Sequence, residues 1–477
     1  MQRTPPVASS RMALRNFVPA LALAVALLVP AGSTAVQGAP LTSANLLRTS
    51  AANPRYFTNS SGRAVYLTGS HVWWNLQGDR TWKVNCERGR AAPFRFGDYL
   101  DLLARNGHNF IRLWRIELTK WHECGDQVAV APQPWVRTGP GSALDGQPKF
   151  NLTRFDRSYF GRLRGRVIAA RRRGFYVAVM LFEGWSPQFE RRPWRSRGHP
   201  FYRGNNVNRL NPDQNRDGTL LELYTLKAPR VRRIQEAYVR QVIDTVGRFD
   251  NVLYEIANES GAFSIPWQYR MIDYVKSYER RKGLRPHPVG MTFVHGDWNG
   301  AALYRSKADW VAPKDIRHLT DPPAANARKV IVSDTDHHCG GCGDATFPWR
   351  TFMRGYHPIF MDEMTSESRA EAIRKAMGVT LRYARRINLI RMAPRGDLCS
   401  TGYCLVWPGR EYLVYQPARG GFTVDLRPAA AGQRFAVEWA HPVSGEAVPG
   451  DAVAGGAVRR LEPPFDGPSV AWVRPAG

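Results

Sequence analysis

Acidic residues are scarce in this chain: 40 Asp and Glu stand against 67 Lys and Arg, giving a formal charge of +27. Six cysteines in 477 residues are too few for a small disulfide framework. Beyond the N-terminus no apolar run approaches the roughly 20 residues of a spanning helix. Internal repeats and low-complexity tracts are also missing. With 43% hydrophobic and 22% charged residues, the composition excludes a disordered, fibrous or coiled-coil chain and is long enough for a large core. The basic excess raises nucleic-acid binding as one reading. However, Lys and Arg spread through nearly every segment, with clusters such as Arg171-Arg172-Arg173 and Arg191-Arg192, and no RNA- or DNA-binding motif accompanies them.

At the N-terminus, Arg3, Arg11 and Arg15 precede an apolar run from Phe17 to Pro30. Small residues follow, with Ser33-Thr34-Ala35 or Ala39 as the cleavage region. The pattern predicts a secretory signal peptide over residues 1–39; at about 14 residues the run is short for the alternative, a membrane anchor. The mature protein is then expected to be secreted, with no integral membrane segment and no nucleic-acid partner. Export favours paired cysteines, and proximity suggests Cys339 with Cys342 and Cys399 with Cys404, leaving Cys86 with Cys124. His337, His338, Cys339 and Cys342 also invite a zinc reading, but a four-ligand site usually brings two separated ligand pairs, so the disulfide is preferred.

Eight short apolar or β-branched runs recur: Ala64–Ser70, Asn109–Trp114, Phe175–Phe182, Asn251–Ala257, Pro288–Val294, Trp310–Ala312, Lys329–Ser333 and Pro358–Met361. Most are followed by an amphipathic stretch, as in Val231, Ile234, Tyr238, Val242 and Val246 at helical spacing. Eight strands with helical crossovers predict an α/β fold, a (β/α)8 TIM barrel over residues 40–393. The sixth strand is the least supported, since only Ala301–Ser306 supplies a helix before it. After a long helix over Ser366–Ile390 the texture changes to alternating runs such as Tyr412–Tyr415, Phe422–Leu426, Phe435–Trp439 and Val470–Val473. That period predicts a small antiparallel β-sandwich over residues 394–477.

Barrel enzymes carry their chemistry at the C-terminal ends of strands. The fourth run ends in Asn258-Glu259, where a Glu can protonate a departing sugar oxygen and an Asn can hold a substrate hydroxyl. A second carboxylate is sought at the seventh run, where Asp334 and Asp336 share one face if the strand continues that far, and at the eighth, which ends in Asp362-Glu363. A salt bridge with the abundant arginines or a helix cap is the structural alternative for each of these acids. Aromatics recur at the same strand ends: Trp73, Trp74, Trp114, Trp185 and Trp298, with Glu183 between Phe182 and Trp185. Flat rings there can stack on sugars. His71 and His295 are further candidate substrate contacts.

Asn258-Glu259, the second-strand stretch Gly107-His108-Asn109-Phe110-Ile111-Arg112-Leu113-Trp114 and an acid ending the seventh strand resemble the superfamily of TIM-barrel retaining glycoside hydrolases with catalytic acids on strands four and seven. Asn53-Pro54-Arg55-Tyr56-Phe57 through Leu67-Thr68-Gly69-Ser70, with the β-rich C-terminus, is similar more narrowly to cellulase-like, apiosidase-like secreted hydrolases. The resemblance implies Glu259 as acid/base, Asn258 as a substrate-hydroxyl contact and Arg112 as the group orienting the nucleophile. The superfamily nucleophile is usually Glu; here Asp336 is preferred, then Asp334, with Glu363 as the remaining candidate. The expected partner is a poly- or oligosaccharide, and the charge suits an anionic cell-wall polymer. A catalytically silent carbohydrate-binding or adhesive protein is the alternative.

This chemistry requires no cofactor. One motif stands apart from it: Asp213, Asn215 and Asp217, with Gly218 at the sixth position, match the first half of a calcium loop. Position twelve is Tyr224, so the full pattern fails, and Glu222 is the candidate substitute. The two readings are a structural Ca2+ site and a plain Asx-rich turn.

Overall fold

The computed structural model describes residues 45–73, 75–78, 94–121, 128–189 and 195–476. The expected signal peptide over 1–39, Trp74, Arg191-Arg192 and the Cys86–Cys124 pair lie outside the described residues. Eight parallel strands close a barrel: β1 (Gly69–His71), β2 (Phe110–Leu113), β3 (Tyr176–Phe182), β4 (Val252–Ala257), β5 (Val289–Thr292), β6 (Trp310–Ala312), β7 (Val330–Asp334) and β8 (His357–Met361). Neighbours follow chain order, and β8 pairs with β1 to complete the circuit. Each of the eight apolar runs therefore supplies a barrel strand. The first is shorter than its run, because Ala64–Val65 pairs antiparallel with Phe57–Thr58 in a separate small sheet.

Period-two alternation decides which side chains face the barrel interior. Phe110, Ala178, Leu253, Trp310, Val330, Val332 and Ile359 belong to one inner cluster, while Ile111, Val177, Val179, Val252, Tyr254 and Ile331 belong to the core shared with the surrounding helices. Both faces are dry, so the strands read as nearly continuous apolar runs. The helices include α1 (Phe96–Arg105), α2 (Arg157–Arg172), α3 (Pro229–Val246), α4 (Ile265–Arg281), α5 (Ala301–Arg305), α6 (Thr346–Met353) and α7 (Ser368–Arg386). Helix α3 starts on Pro229, whose missing N–H costs nothing at a first turn, and buries Val231, Tyr238, Val242 and Val246 of the expected periodic set. The thin sixth unit is real: α5 precedes β6.

Two features depart from the sequence reading. Between β2 and β3 stands an antiparallel pair, Trp135–Ser142 with Pro148–Phe155, whose half-exposed, Gly- and Pro-containing residues hide the strand period. Second, β7 stops at Asp334. Its carboxylate accepts a hydrogen bond from the Asp336 N–H (2.9 Å) and so caps the helical turn Thr335–Cys339. Asp334 and Asp336 consequently do not share a strand face.

Past α7 the chain forms a six-stranded sheet from β9 (Ala393–Pro394), β10 (Cys404–Trp407), β11 (Glu411–Gln416), β13 (Arg434–Ala440), β14 (Ala447–Ala454) and β16 (Ser469–Pro475), with β12 (Phe422–Asp425) and β15 (Val458–Leu461) paired separately. Its two faces are both covered. Leu405, Leu413, Tyr415, Val470 and Trp472 pack with Trp349 of α6 and Tyr383 of α7, and Val406, Tyr412, Val414, Ala471 and Val473 pack with Phe422, Val424 and Leu461 of the smaller sheet. Disulfides join Cys339 to Cys342 and Cys399 to Cys404, as expected from spacing. Among the described residues no helix is long and apolar enough to cross a membrane.

Candidate active site at the barrel mouth

The inward positions of β2, β4 and β7 change character toward their C-terminal ends. After Phe110, Leu253 and Val332 come Arg112, Glu255 and Asp334, all buried. Arg112 joins them: its Nε and Nη2 donate to Glu255 (2.9 and 2.6 Å), and its Nη1 donates to Asp334 (2.5 Å). His71 Nε2, at the end of β1, donates to the other Asp334 oxygen (3.1 Å). Burial alone would push the Asp334 carboxyl up, but His71 and Arg112 outweigh it and hold it well below the usual carboxylate range. Arg112 is likewise driven further into its charged form by Glu255 and Asp334 despite the cost of burial. This is an ion cluster with one cation, two anions and no exposed group, and its physical role is to fix geometry.

What it fixes is Asn258. Arg112 Nη2 also donates to Asn258 Oδ1 (2.8 Å), and His337 Nε2 reaches the same oxygen (3.0 Å). Because arginine can only donate, the atom facing it must be the amide oxygen. His337 must then donate through Nε2, and burial, the first of its influences, pushes its pKa well below normal, leaving the neutral ring. The Asn258 amide nitrogen has no partner among the described residues and remains available as a donor.

Glu259 follows in a left-handed conformation, φ 48°. That geometry is uncommon for a residue with a side chain and clusters at functional sites. The neighbouring loop accommodates it: Gly184, φ 78°, lies so close that a Cβ there would meet the Asn258 carbonyl oxygen at 2.7 Å. Glu259 Oε2 is 3.9 Å from His295 Nε2. On its other flank stands Asp336, and one ligand atom from each of Glu259, Asp336 and His337 lies within 4.8 Å of the others. Burial first, then the charges of Glu259 and Asp334, raise the Asp336 carboxyl well above its ordinary value, and its Oδ2 has no hydrogen-bond partner.

These three groups are also the one set of His, Cys, Asp and Glu side chains among the described residues close enough together to hold a metal ion. The zinc reading from the sequence does not assemble: Cys339 and Cys342 are bonded to each other, while His338 turns away to Ser333 Oγ (3.1 Å).

The remaining expected residues separate by position. His71 stacks on Trp114 (4.9 Å), Trp114 on Trp73 (5.5 Å), and Trp73 tilts against Trp185 (5.9 Å). Trp114 is fully buried under this ladder and Trp73 and Trp185 are partly exposed, so only the last two present ring surface to a ligand. Trp298 is 66% exposed and stands edge-on to His295. Glu183 departs from its expected place: it is buried and accepts from the N–H (2.7 Å) and hydroxyl of Ser186, serving the loop and not the mouth surface. Glu363 lies against Gly341 of the disulfide loop, and its neighbour Asp362 is taken by Arg374 (2.7 Å).

Two participants went unnoticed in the sequence. Glu255 sits two residues beyond Leu253, so the same inward alternation that buries Leu253 places it inside; a lone charge in an apolar run was the available signal. Glu117 accepts from Tyr224 Oη (2.7 Å) and from the N–H groups of Glu183 (3.0 Å) and Gly184 (3.3 Å). Although burial opposes it, Arg115 and then His199 bring its pKa down to about 2. It holds the β3 loop against Asn258 and carries no motif.

Neither a protein-family model nor a curated protein matches this sequence. The structure does have neighbours. A glycoside hydrolase superposes with a TM-score of 0.56 at 11% identity, over 91% of this chain and 98% of its own. A glycoside hydrolase family 5 protein from Bacteroides vulgatus ATCC 8482 superposes with a TM-score of 0.56 at 12% identity, over 92% of this chain and 95% of its own. The resemblance to TIM-barrel glycoside hydrolases thus holds in the tertiary structure, barrel and added sheets together, and at such identity it is a likeness of fold.

Proposed function

We propose that this protein is a secreted glycoside hydrolase that cleaves O-glycosidic bonds of a poly- or oligosaccharide with retention of configuration. The observation that carries the reading is that a carboxylate oxygen of Glu259 comes within 4.8 Å of one of Asp336 at the barrel mouth. Retaining enzymes place their carboxyl groups about 5–5.5 Å apart, whereas inverting ones leave about 6.5–9.5 Å for a water. Glu259 donates a proton to the departing oxygen while Asp336 attacks the anomeric carbon; water then enters, Glu259 takes its proton, and the sugar leaves Asp336. Asp336 must be ionised to attack. The proton that burial and its acidic neighbours favour on Asp336 therefore has to reside on Glu259 when substrate is in place, so the pair acts with one proton between them.

Asp334 sits at the strand end where the superfamily carries its nucleophile, but both its oxygens are engaged by Arg112, His71 and the Asp336 N–H. We assign it to positioning, with Arg112 acting through Asp334 and Asn258. The Asn258 amide holds a sugar hydroxyl, Trp73 and Trp185 stack on a ring, and His295 and Trp298 line the side from which Glu259 protonates the leaving group. That the structural neighbours are glycoside hydrolases supports the substrate class, the N-terminal pattern supports export, and the C-terminal sheets are read as a domain of the same enzyme. Excess positive charge suits an anionic cell-wall polymer.

Turnover on a panel of aryl glycosides and polysaccharides tests the reading. Glu259→Gln is expected to lose roughly 10²–10⁴-fold, and NMR of the first-formed product should show the retained anomer; undiminished turnover in the variant, or an inverted product, would refute it. A non-hydrolytic glycan binder is the second reading, favoured by the exposed Trp298. Glycan binding unaffected by Glu259→Gln, with no hydrolysis of any bound glycan, would select it.

A further inference from the structure

Two long segments leave the C-terminal ends of β2 and β3, the end of the barrel at which Asn258-Glu259 stand: the inserted hairpin of Trp135–Ser142 and Pro148–Phe155, and the loop that runs on to α3. Buried Asn206 closes the loop over residues 202–210, its Nδ2 donating to the carbonyls of Tyr202 (2.9 Å) and Leu210 (3.1 Å) and its Oδ1 accepting from the Leu210 N–H (2.9 Å). One side chain thereby satisfies backbone groups that no helix or sheet serves. The Val207 N–H donates to the Phe150 carbonyl (2.9 Å) and the Leu152 N–H to Asn208 Oδ1 (2.7 Å), which fastens the loop to the hairpin. The Asx-rich turn that follows is a plain turn: Asp213, Asn215 and Asp217 accept from its own N–H groups, and Asp213, Asp217 and Glu222 are not among the side chains close enough together to hold an ion.

The fastening brings Lys149 of the hairpin and Arg203 and Arg209 of the loop to one pocket of about 590 Å3, and no acidic side chain lines it. None of the three cations forms an ion pair or a side-chain hydrogen bond among the described residues. On the same hairpin Arg137 does take a carboxylate, that of Asp145 (3.2 Å), so acids stand where the fold pairs its charges. Arg209 adds an independent observation. Its backbone is left-handed, φ 53°, a conformation uncommon for a residue with a side chain and concentrated where a protein holds a ligand. Gathering like charges on one concavity is unfavourable by itself and concentrates anions there.

We propose that Lys149, Arg203 and Arg209 bind an acidic sugar residue of the polysaccharide that the barrel cleaves, an inference that rests on the hydrolase reading and narrows its substrate to an anionic glycan. The pocket has the volume of a small-molecule site, with room for a sugar ring and not only for an ion. The planar forks of two arginines match paired oxyanion oxygens, and Lys149 adds a point charge. A uronate carboxylate and an ester sulfate or phosphate share that chemistry. A nucleic-acid strand fits less well, because grooves for single strands combine cations with aromatic platforms and no aromatic side chain lines this pocket. Neither Glu259 nor Asp336 lines it, so the contact supplies affinity from a part of the substrate away from the reacting bond.

Calorimetric titration of the full-length Glu259→Gln protein in about 0.1 M NaCl tests this without any assay of hydrolysis. The probes are an oligogalacturonate, its carboxyl-reduced neutral form and a sulfated oligosaccharide. At least one acidic probe is expected to bind about tenfold or more tightly than the neutral form. Arg203→Ala and Arg209→Gly, added singly, should each weaken that binding about tenfold. Because glycine suits φ 53°, Arg209→Gly should not lower Tm. Arg172→Ala removes an exposed cation at the end of α2 that has no partner among the described residues, and it should leave binding within about twofold. Equal binding of acidic and neutral probes, a loss no larger in the pocket variants than in Arg172→Ala, or tighter binding of single-stranded RNA that the same variants abolish, would overturn the proposal. Failure here leaves the retaining mechanism to the turnover of the parent enzyme, and absence of that turnover would leave the binding result standing.

Discussion

Replacing Asp334 and Asp336 by Asn, one at a time, should move stability in opposite directions. Asp334 is ionised, inaccessible to solvent and 2.5 Å from Arg112. Removing one partner of a buried ion pair typically costs 3–5 kcal/mol. Because the Asn carbonyl still accepts one bond and Glu255 still neutralises Arg112, Asp334→Asn is expected near the lower end, about 3 kcal/mol. For about 400 folded residues the unfolding entropy is about 0.8 kcal/mol/K, so Tm should fall by about 3–4 °C. Asp336 is the reverse case. Its pKa is raised by burial and by Glu259 and Asp334, so ionisation at neutral pH costs the native state about 1.4 kcal/mol for each unit of that rise. Asp336→Asn removes the cost and should raise Tm while abolishing turnover.

The pH dependence distinguishes the two further. A depressed pKa stabilises above the unfolded value near 3.9 and loses its effect as pH falls through the folded value, so the deficit of Asp334→Asn should shrink in acid. A raised pKa penalises the native state only as pH climbs above about 3.9 toward the folded value. The gain from Asp336→Asn should therefore vanish below about pH 4 and grow toward neutrality. Calorimetric scans from acid to neutral pH, with turnover measured in parallel, decide the matter. A destabilised Asp336→Asn, or one that retains turnover beside an inactive but equally stable Asp334→Asn, would exchange the roles assigned to these acids.

Gly184→Ala introduces a Cβ 2.7 Å from the Asn258 carbonyl at φ 78°, so a loss of about 1–3 kcal/mol is expected, with kcat reduced more than KM is raised; unchanged kcat would show that Asn258-Glu259 is positioned independently of this loop. Glu255→Gln should cost about 3 kcal/mol by breaking its bidentate pair with Arg112, measurable as a lowered Tm and a fall in kcat. Trp298 is largely exposed, so Trp298→Ala should leave Tm within about 1 °C. Its KM should rise for oligosaccharides while KM for small aryl glycosides stays nearly constant, and equal effects on both would remove Trp298 from the leaving-group side.

The barrel strands were legible because both strand faces are buried, which writes each strand as an apolar run whatever its neighbours. The helix α3 was legible from one apolar stripe, and the two local disulfides from spacing alone. Asn258-Glu259 stood out because polar residues closing such a run have few structural reasons to be there. The inserted hairpin between β2 and β3 was not legible, since its residues are half exposed and carry neither period cleanly. Nor was the end of β7, where one side-chain cap at Asp334 converts a continuing strand into a helical turn.

By itself, then, the sequence determined the strand count, the helical crossovers, the alternating C-terminal runs and the strand ends at which chemistry-bearing side chains emerge. These follow from periodicity, which is a property of consecutive residues. Only the tertiary structure decided which of those side chains meet. Arg112, Glu255 and Asp334 come from strands two, four and seven and converge because the barrel closes. Asp336 faces Glu259, and Asp334 faces Arg112, because the chain turns between the two aspartates. Which carboxylate oxygen is left without a hydrogen-bond partner is a property of distances across the barrel, and no spacing along the chain encodes them.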